Sequence, residues 1–202
     1  MLIESMATSL VVGKVRGGKL ENIGKVQIRG WYFFVLGFII EFTSVYLKMK
    51  NIGIISTFIN KYFIYVHSLS YILIFIGLIL NFKNKSMILV FIGTLLNFIV
   101  IVANGGRMPV SPEGLKTAGL ISNLEMLKND MIITHTLITD STKLSILGDI
   151  IPLSKPYPFP KMISIGDIFL GLGIFCFIQG AMTKKGIFSR KSKMIRFEYK
   201  KR

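Results

Sequence analysis

The chain has 202 residues, 51% of them hydrophobic, and a formal net charge of +15 from 25 Lys and Arg against 10 Asp and Glu. That pairing of apolar bulk with unbalanced positive charge excludes an ordinary water-soluble globular domain. The single cysteine, Cys176, excludes an internal disulfide.

A bilayer is crossed by roughly 17 to 25 apolar residues in a helix. In chain order, the first apolar run is Leu2 to Val12, which is short and holds Glu4. It lacks the basic start and small-residue cleavage site of a secretory signal and reads as a short, retained first span. Four longer runs follow: Trp31 to Leu47, Tyr62 to Phe82, Met87 to Ala103 and Ile163 to Met182. The expected fold is therefore all-α, an integral membrane bundle of about five transmembrane helices. Residues 1–183 form the transmembrane domain, including an extracellular loop 104–162 with a small helical cap, and residues 184–202 form a basic cytoplasmic tail.

Basic residues collect on the cytoplasmic side of short loops. Lys14, Arg16, Lys19, Lys25 and Arg29 precede the second run, Lys83 and Lys85 occupy a tight turn, and the tail from Lys184 is dense in cations. All three segments share one face if the chain crosses five times, with the N-terminus outside and the C-terminus in the cytoplasm. Lys48, Lys50 and Lys61 oppose this orientation. The expected location is a bacterial plasma membrane. The tail, beginning directly after a span, is matched to anionic inner-leaflet lipids and not to nucleic acid.

With that direction, Glu41, His67, Asn97 and Asp167 fall at one depth, in the outer half of their helices. An ionisable side chain in hydrocarbon costs several kcal/mol unless it meets a partner or a wet cavity, so the coincidence predicts a shared polar cavity. Helix-packing hydrogen bonds account more plainly for any one of the four. The loop adds groups at the same level. Asn104 and Arg107 leave the third long span through Gly105-Gly106, and Arg107 is placed to reach a carboxylate. Ser111 with Pro112 reads as an N-cap and first helical position, Gly119 as a C-cap, and Leu120 to Lys128 as a second short helix. Leu115, Leu120, Ile121, Leu124 and Leu127 require something apolar to cover.

After His135 come two aspartates in the same Gly-Asp-Ile setting, Asp149 and Asp167, on either side of a run containing Pro152, Pro156, Pro158 and Pro160. Alternate prolines forbid a helix and predict an extended linker. If the linker joins the two carboxylates at the outer surface, like charge and burial would raise one pKa and leave the other group ionised, the electrostatic basis of an acid and base pair. The alternative is that Asp149 closes a local turn and Asp167 caps the last helix, a role for which Ser164 competes.

Asn104-Gly-Gly-Arg-Met-Pro-Val-Ser111, Thr134-His-Thr136, Leu147-Gly-Asp-Ile-Ile-Pro-Leu153 and Ser164-Ile-Gly-Asp167, together with Arg16 to Leu20 and Arg29-Gly30-Trp31, resemble a family of small multi-pass membrane proteins of unknown function from Clostridia and other Gram-positive bacteria. That resemblance covers nearly the whole chain and implies no activity. A partial one, over the last two spans, is to lipoprotein signal peptidases, in which one catalytic Asp follows an outward-exiting helix and a second opens the final helix. It implies catalytic roles for Asp149 and Asp167. The chain departs from that pattern: only Asn104 and Arg107 stand where those enzymes carry Asn-x-x-Asp-Arg, and some forty residues, by a rough count of the loop, separate them from Asp149.

Two functions remain open. One is a binding protein in which Asn104, Arg107, His135, Glu41, His67 and Asn97 hold a small ligand, lipid headgroup or peptide; the other is an aspartic hydrolase acting on a peptide or lipid-linked substrate through Asp149 and Asp167. The two histidines show no paired metal-ligand spacing, although Glu41 with His67 could meet an ion, and no phosphate loop or nucleophile elbow is present. No metal or other cofactor is expected.

Overall fold

The computed structural model describes residues 1–50 and 53–183, with side chains described for 1–47 and 62–183. The expected basic tail, 184–202, lies outside the described residues. Among those described, seven α-helices are formed, α1 Leu2–Val15, α2 Trp31–Lys50, α3 Gly53–Ile79, α4 Lys85–Ala103, α5 Pro112–Thr117, α6 Ile121–Lys128 and α7 Ile165–Thr183, with short strands β1 Met108–Val110, β2 His135–Leu137, β3 Ile151–Leu153 and β4 Lys161–Ile163.

Tyr62–Ile79, Lys85–Ala103 and Ile165–Thr183 are each long and apolar enough to cross a membrane, and Trp31–Leu47 is a shorter apolar helix. The helix α1 runs past the expected Val12 to Val15. At 1.5 Å per residue it spans about 21 Å, less than the ~30 Å of a hydrocarbon core. The third helix starts well before Tyr62, because Asn60 and Lys61 end an apolar run without being helix breakers.

The long helices pack in the order α2, α3, α4, α7, α1. The α4–α7 seam is the tightest of these. A Cβ on Gly93 would stand 2.5 Å from the Gly166 carbonyl oxygen and 2.6 Å from the Leu170 amide, and one on Gly173 would stand 2.7 Å from the Val90 amide. Glycine therefore brings two backbones to contact, as small residues do between membrane helices. On the other side of α7, Ser9 Oγ donates to the Phe175 carbonyl at 3.0 Å. The fully buried Gln179 amide donates to the Ser9 carbonyl at 2.6 Å and accepts from Arg16 at 3.0 Å. Glu4 pairs with Lys161 of β4, tying α1 to the loop region.

Residues 104–164 fold into a cap with a core of its own, built on Val110, Leu115, Leu124 and Leu127. Those leucines cover one another and β1. Ser111 accepts a hydrogen bond from the Gly114 amide at 3.0 Å with Pro112 in the first turn. Gly119, at φ +74°, lets its own amide and that of Leu120 return to the Lys116 and Leu115 carbonyls, a Schellman ending.

The cap is not purely helical, which corrects the all-α expectation. Strands β1 and β2 pair in parallel, with Met108 opposite His135, and β3 and β4 pair antiparallel, with Ile151 opposite Ile163. Three-residue strands, two of them centred on Pro109 and Pro152, are too short for alternation to register. The stretch holding Pro156, Pro158 and Pro160 is likewise not an extended linker; it turns β3 into β4, and the hairpin folds Asp149 back toward the start of α7.

Candidate functional site

The floor of the site is the start of α7. Ser164 Oγ accepts from the Asp167 amide at 3.0 Å, and Asp167 Oδ2 accepts in return from the Ser164 amide at 3.2 Å. This is a reciprocal capping box, so both competitors for the cap are used. The pair is locked to α4, since Ser164 Oγ donates to Asn97 Oδ1 at 2.9 Å and Asn97 Nδ2 donates to Asp167 Oδ1 at 3.2 Å. A Cβ on Gly166 would overlap Asn97 Oδ1, so this network depends on glycine there.

One wall comes from α2 and α3. His67 Nδ1 lies 2.8 and 2.9 Å from the two oxygens of Glu41, a geometry in which Nδ1 carries the proton. The imidazole is buried between Phe63 and Tyr71, at centroid separations of 5.6 and 4.8 Å. Its Nε2 is buried and has no hydrogen-bond partner among the described residues.

The roof is the cap. Gly148 packs so closely that a Cβ would lie 2.6 Å from the Pro109 carbonyl oxygen. Asp149 then docks on β1: its amide donates to the Pro109 carbonyl at 2.8 Å and its carbonyl accepts from the Ser111 amide at 3.0 Å. Its side chain is buried, with Oδ1 unpartnered among the described residues. Oδ2 lies 3.6 Å from His135 Nε2, while His135 Nδ1 is 2.8 Å from the Thr134 hydroxyl. Burial, and then the charge of Asp167, push the Asp149 carboxyl up to about 7. One edge of the His135 ring reaches solvent, yet burial of the rest lowers its pKa, partly opposed by the Asp167 charge. At neutral pH the Asp149–His135 contact therefore has an uncharged imidazole and is not an ion pair.

Glu41, His67, Asn97, His135, Asp149 and Asp167 all line one pocket of about 260 Å³. Two expected residues do not. Arg107 turns away to Asp130 Oδ1 at 2.9 Å, because the left-handed residue Asp130, just past α6, presents its carboxylate there. Asn104 caps α4 and clamps the loop, donating to the Val100 and Lys143 carbonyls and accepting from the Lys143 amide. Tyr71, Thr134, Phe63 and Met108 also line the pocket and were not anticipated. Tyr71 had a signal, lying four residues from His67 on the same helix face. Among the described residues no group of three or more His, Cys, Asp or Glu is arranged to hold a metal ion.

The fold defines a mostly helical protein with three helices apolar enough for a membrane and a mixed cap over one end. The chain belongs to a family of unknown function, DUF5317, whose model matches residues 25–179. It is also similar to an uncharacterized protein of Thermotoga maritima, 28% identical over 180 residues that cover 88% of this chain and 89% of the relative. No solved structure matches the chain.

The raised Asp149 pKa sets a pH dependence. Between its ordinary value of 3.8 and about 7 the folded protein retains a proton that the unfolded chain has released, so this group lowers stability progressively as pH rises through that window. Below the window the penalty vanishes. Asp149→Asn removes the charge while keeping the shape, and is expected to stabilise the protein at pH 8 by about 2–4 kcal/mol, with the two proteins converging near pH 4. Thermal or denaturant unfolding at the two pH values checks this; equal stability at pH 8 would contradict the buried, proton-retaining carboxyl.

Proposed function

We propose that this is a multi-pass protein of a bacterial plasma membrane, with the cap outside and the tail inside, whose polar pocket binds a small ligand, lipid headgroup or peptide amine. The orientation rests on the positive charge of the Lys14 to Arg29 and Lys83 to Lys85 segments. In a Cys176→Ser background, Lys143→Cys is expected to react with a membrane-impermeant maleimide on intact cells, and Lys83→Cys only after permeabilisation. The reverse pattern would invert the topology.

The observation that carries the binding reading is a pair of buried, unpartnered polar atoms, His67 Nε2 and Asp149 Oδ1, on one pocket. Buried polar groups are nearly always satisfied, and an orphan in a cavity marks a place for a partner. With Nδ1 turned to Glu41, His67 Nε2 is the ring atom left facing the pocket, an acceptor when the ring carries a single proton, and Asp149 Oδ1 is a second acceptor. Two acceptors favour a ligand that donates hydrogen bonds, such as an ammonium or a hydroxyl group. Ethanolamine serves as the minimal probe. It is expected to raise the melting temperature of the full-length protein at pH 8, and Asp149→Asn is expected to lose that increment while remaining folded. An unresponsive wild type, or an equally responsive variant, would defeat the reading.

A second reading is favoured by one arrangement: Asp149, its carboxyl pushed up to about 7 by burial and then by the charge of Asp167, lines the same pocket as Asp167. An acid and base pair of this kind can activate water and protonate a leaving group. In an aspartic hydrolase, Asp149 would supply the proton and Asp167, which accepts both of its hydrogen bonds, would act as the base. Cleavage of a lipopeptide by membranes carrying the wild type, abolished in both Asp149→Asn and Asp167→Asn, is the expected result; cleavage that survives either substitution ends the hydrolase reading.

A further inference from the structure

Beneath the polar pocket lies a second, larger cavity of about 710 Å³ whose walls come from all five long helices. It is bounded by Met6 on α1, Phe38 on α2, Ile74 on α3, Val90 on α4 and Ile174 on α7, and its surface is almost wholly apolar. The two cavities are continuous in their walls, because Glu41, Tyr71 and Asn97 line both. Along α4 the chamber runs from Asn97 to Met87, about 15 Å at the helical rise. α1 packs on α7 and α2 on α3, so these helices stand at the two ends of the row and flank the chamber.

A small polar solute would fill only the upper compartment. A molecule with a hydrogen-bond-donating head and one long hydrocarbon tail would fill both, placing its tail along Leu, Phe, Ile, Val and Met, with the two hydroxyls of that wall, Ser70 and Thr94, already donating to the Val66 and Val90 carbonyls of their own helices. The sign of the head follows from the charges around the upper compartment. Glu41, Asp149 and Asp167 supply three carboxyl groups, and neither Lys nor Arg lines that pocket among the described residues. Two cations of the cap are engaged elsewhere, Arg107 by Asp130 and Lys161 by Glu4.

We propose that the two cavities together form a binding site for a long-chain amphiphile with an amine headgroup, its ammonium between Asp149 and His67 and its alkyl chain in the chamber between α1 and α2. This rests on the pocket being a ligand site and adds the class of ligand. The tail supplies affinity through burial of apolar surface, and the head supplies selectivity.

The test compares hexadecylamine, hexadecanoic acid and ethanolamine on the full-length protein in phosphatidylcholine nanodiscs, read by native mass spectrometry and competition. Hexadecylamine is expected to bind at least tenfold more tightly than either other probe. Asp149→Asn should reduce that binding about tenfold. Ile174→Trp, which fills the chamber, should weaken hexadecylamine while leaving the ethanolamine response intact, and an intact ethanolamine response also shows that this variant is folded. If ethanolamine binds but hexadecylamine binds no better, the tail site is wrong and the polar pocket stands. If neither amine binds, both readings fall. If hexadecanoic acid binds as tightly as the amine, the chamber takes any alkyl chain and the headgroup assignment is overturned. A dimer that excludes hexadecylamine would assign the chamber to a second copy of the chain and also overturn the proposal.

Discussion

The contact between α4 and α7 is the constraint on which the remaining geometry depends. Gly93, Gly166 and Gly173 bring the two helices to backbone distance, and that approach leaves no room for a Cβ at those three positions. Asn97 is the consequence. Placed one turn beyond Gly93, its amide occupies the space that a Cβ on Gly166 would take, and it bonds to Ser164 and Asp167 at once. A wider helix separation would put both hydrogen bonds out of reach. The orientation of Asp167 is therefore set by helix packing as much as by its own capping interaction.

The roof is held by a second close approach of the same kind. Gly148 lets the chain pass against Pro109, so that Asp149 joins β1 through backbone hydrogen bonds and not through its side chain. This frees the carboxyl group. A turn-capping aspartate would have spent its oxygens on local amides, whereas Asp149 keeps Oδ1 unpaired inside the pocket. The parallel pairing of β1 with β2 then brings Met108 opposite His135 and sets the imidazole beside that carboxyl group. Two Gly-Asp-Ile segments thus do different work with the same residues. In one, glycine admits a neighbouring side chain; in the other, it admits a neighbouring backbone.

The long apolar helices were readable because an apolar run wide enough for a bilayer is costly to leave in water and longer than the core of a small domain can cover. The common depth of Glu41, His67, Asn97 and Asp167 was readable too, since rise per residue converts position directly into height. Depth says nothing about azimuth, however, and only the tertiary packing shows that these side chains turn to a shared space. Ser111, Pro112 and Gly119 punctuate α5 as local chemistry dictates. The cap strands were not visible, because pairing between Met108 and His135 is a long-range event with no local pattern. Arg107 illustrates the same limit: its place directly after a span put a carboxylate within reach, but the one it takes, Asp130, depends on how α6 ends.

The electrostatics of the pocket follow from which cations the fold removes from it. Asp130 and Glu4, both outside the pocket, take Arg107 and Lys161, two basic residues of the folded cap. Inside, His67 hydrogen-bonds to Glu41 alone, and burial biases His135 toward the uncharged form. Asp167 is satisfied by neutral donors, which stabilise its oxygens without cancelling charge, so its field reaches Asp149 and helps to hold a proton there. A cation entering the pocket would relieve that repulsion and release the proton in the same step. Ligand charge and Asp149 protonation are thereby linked, and an amine should bind more tightly as pH rises through the range in which Asp149 ionises.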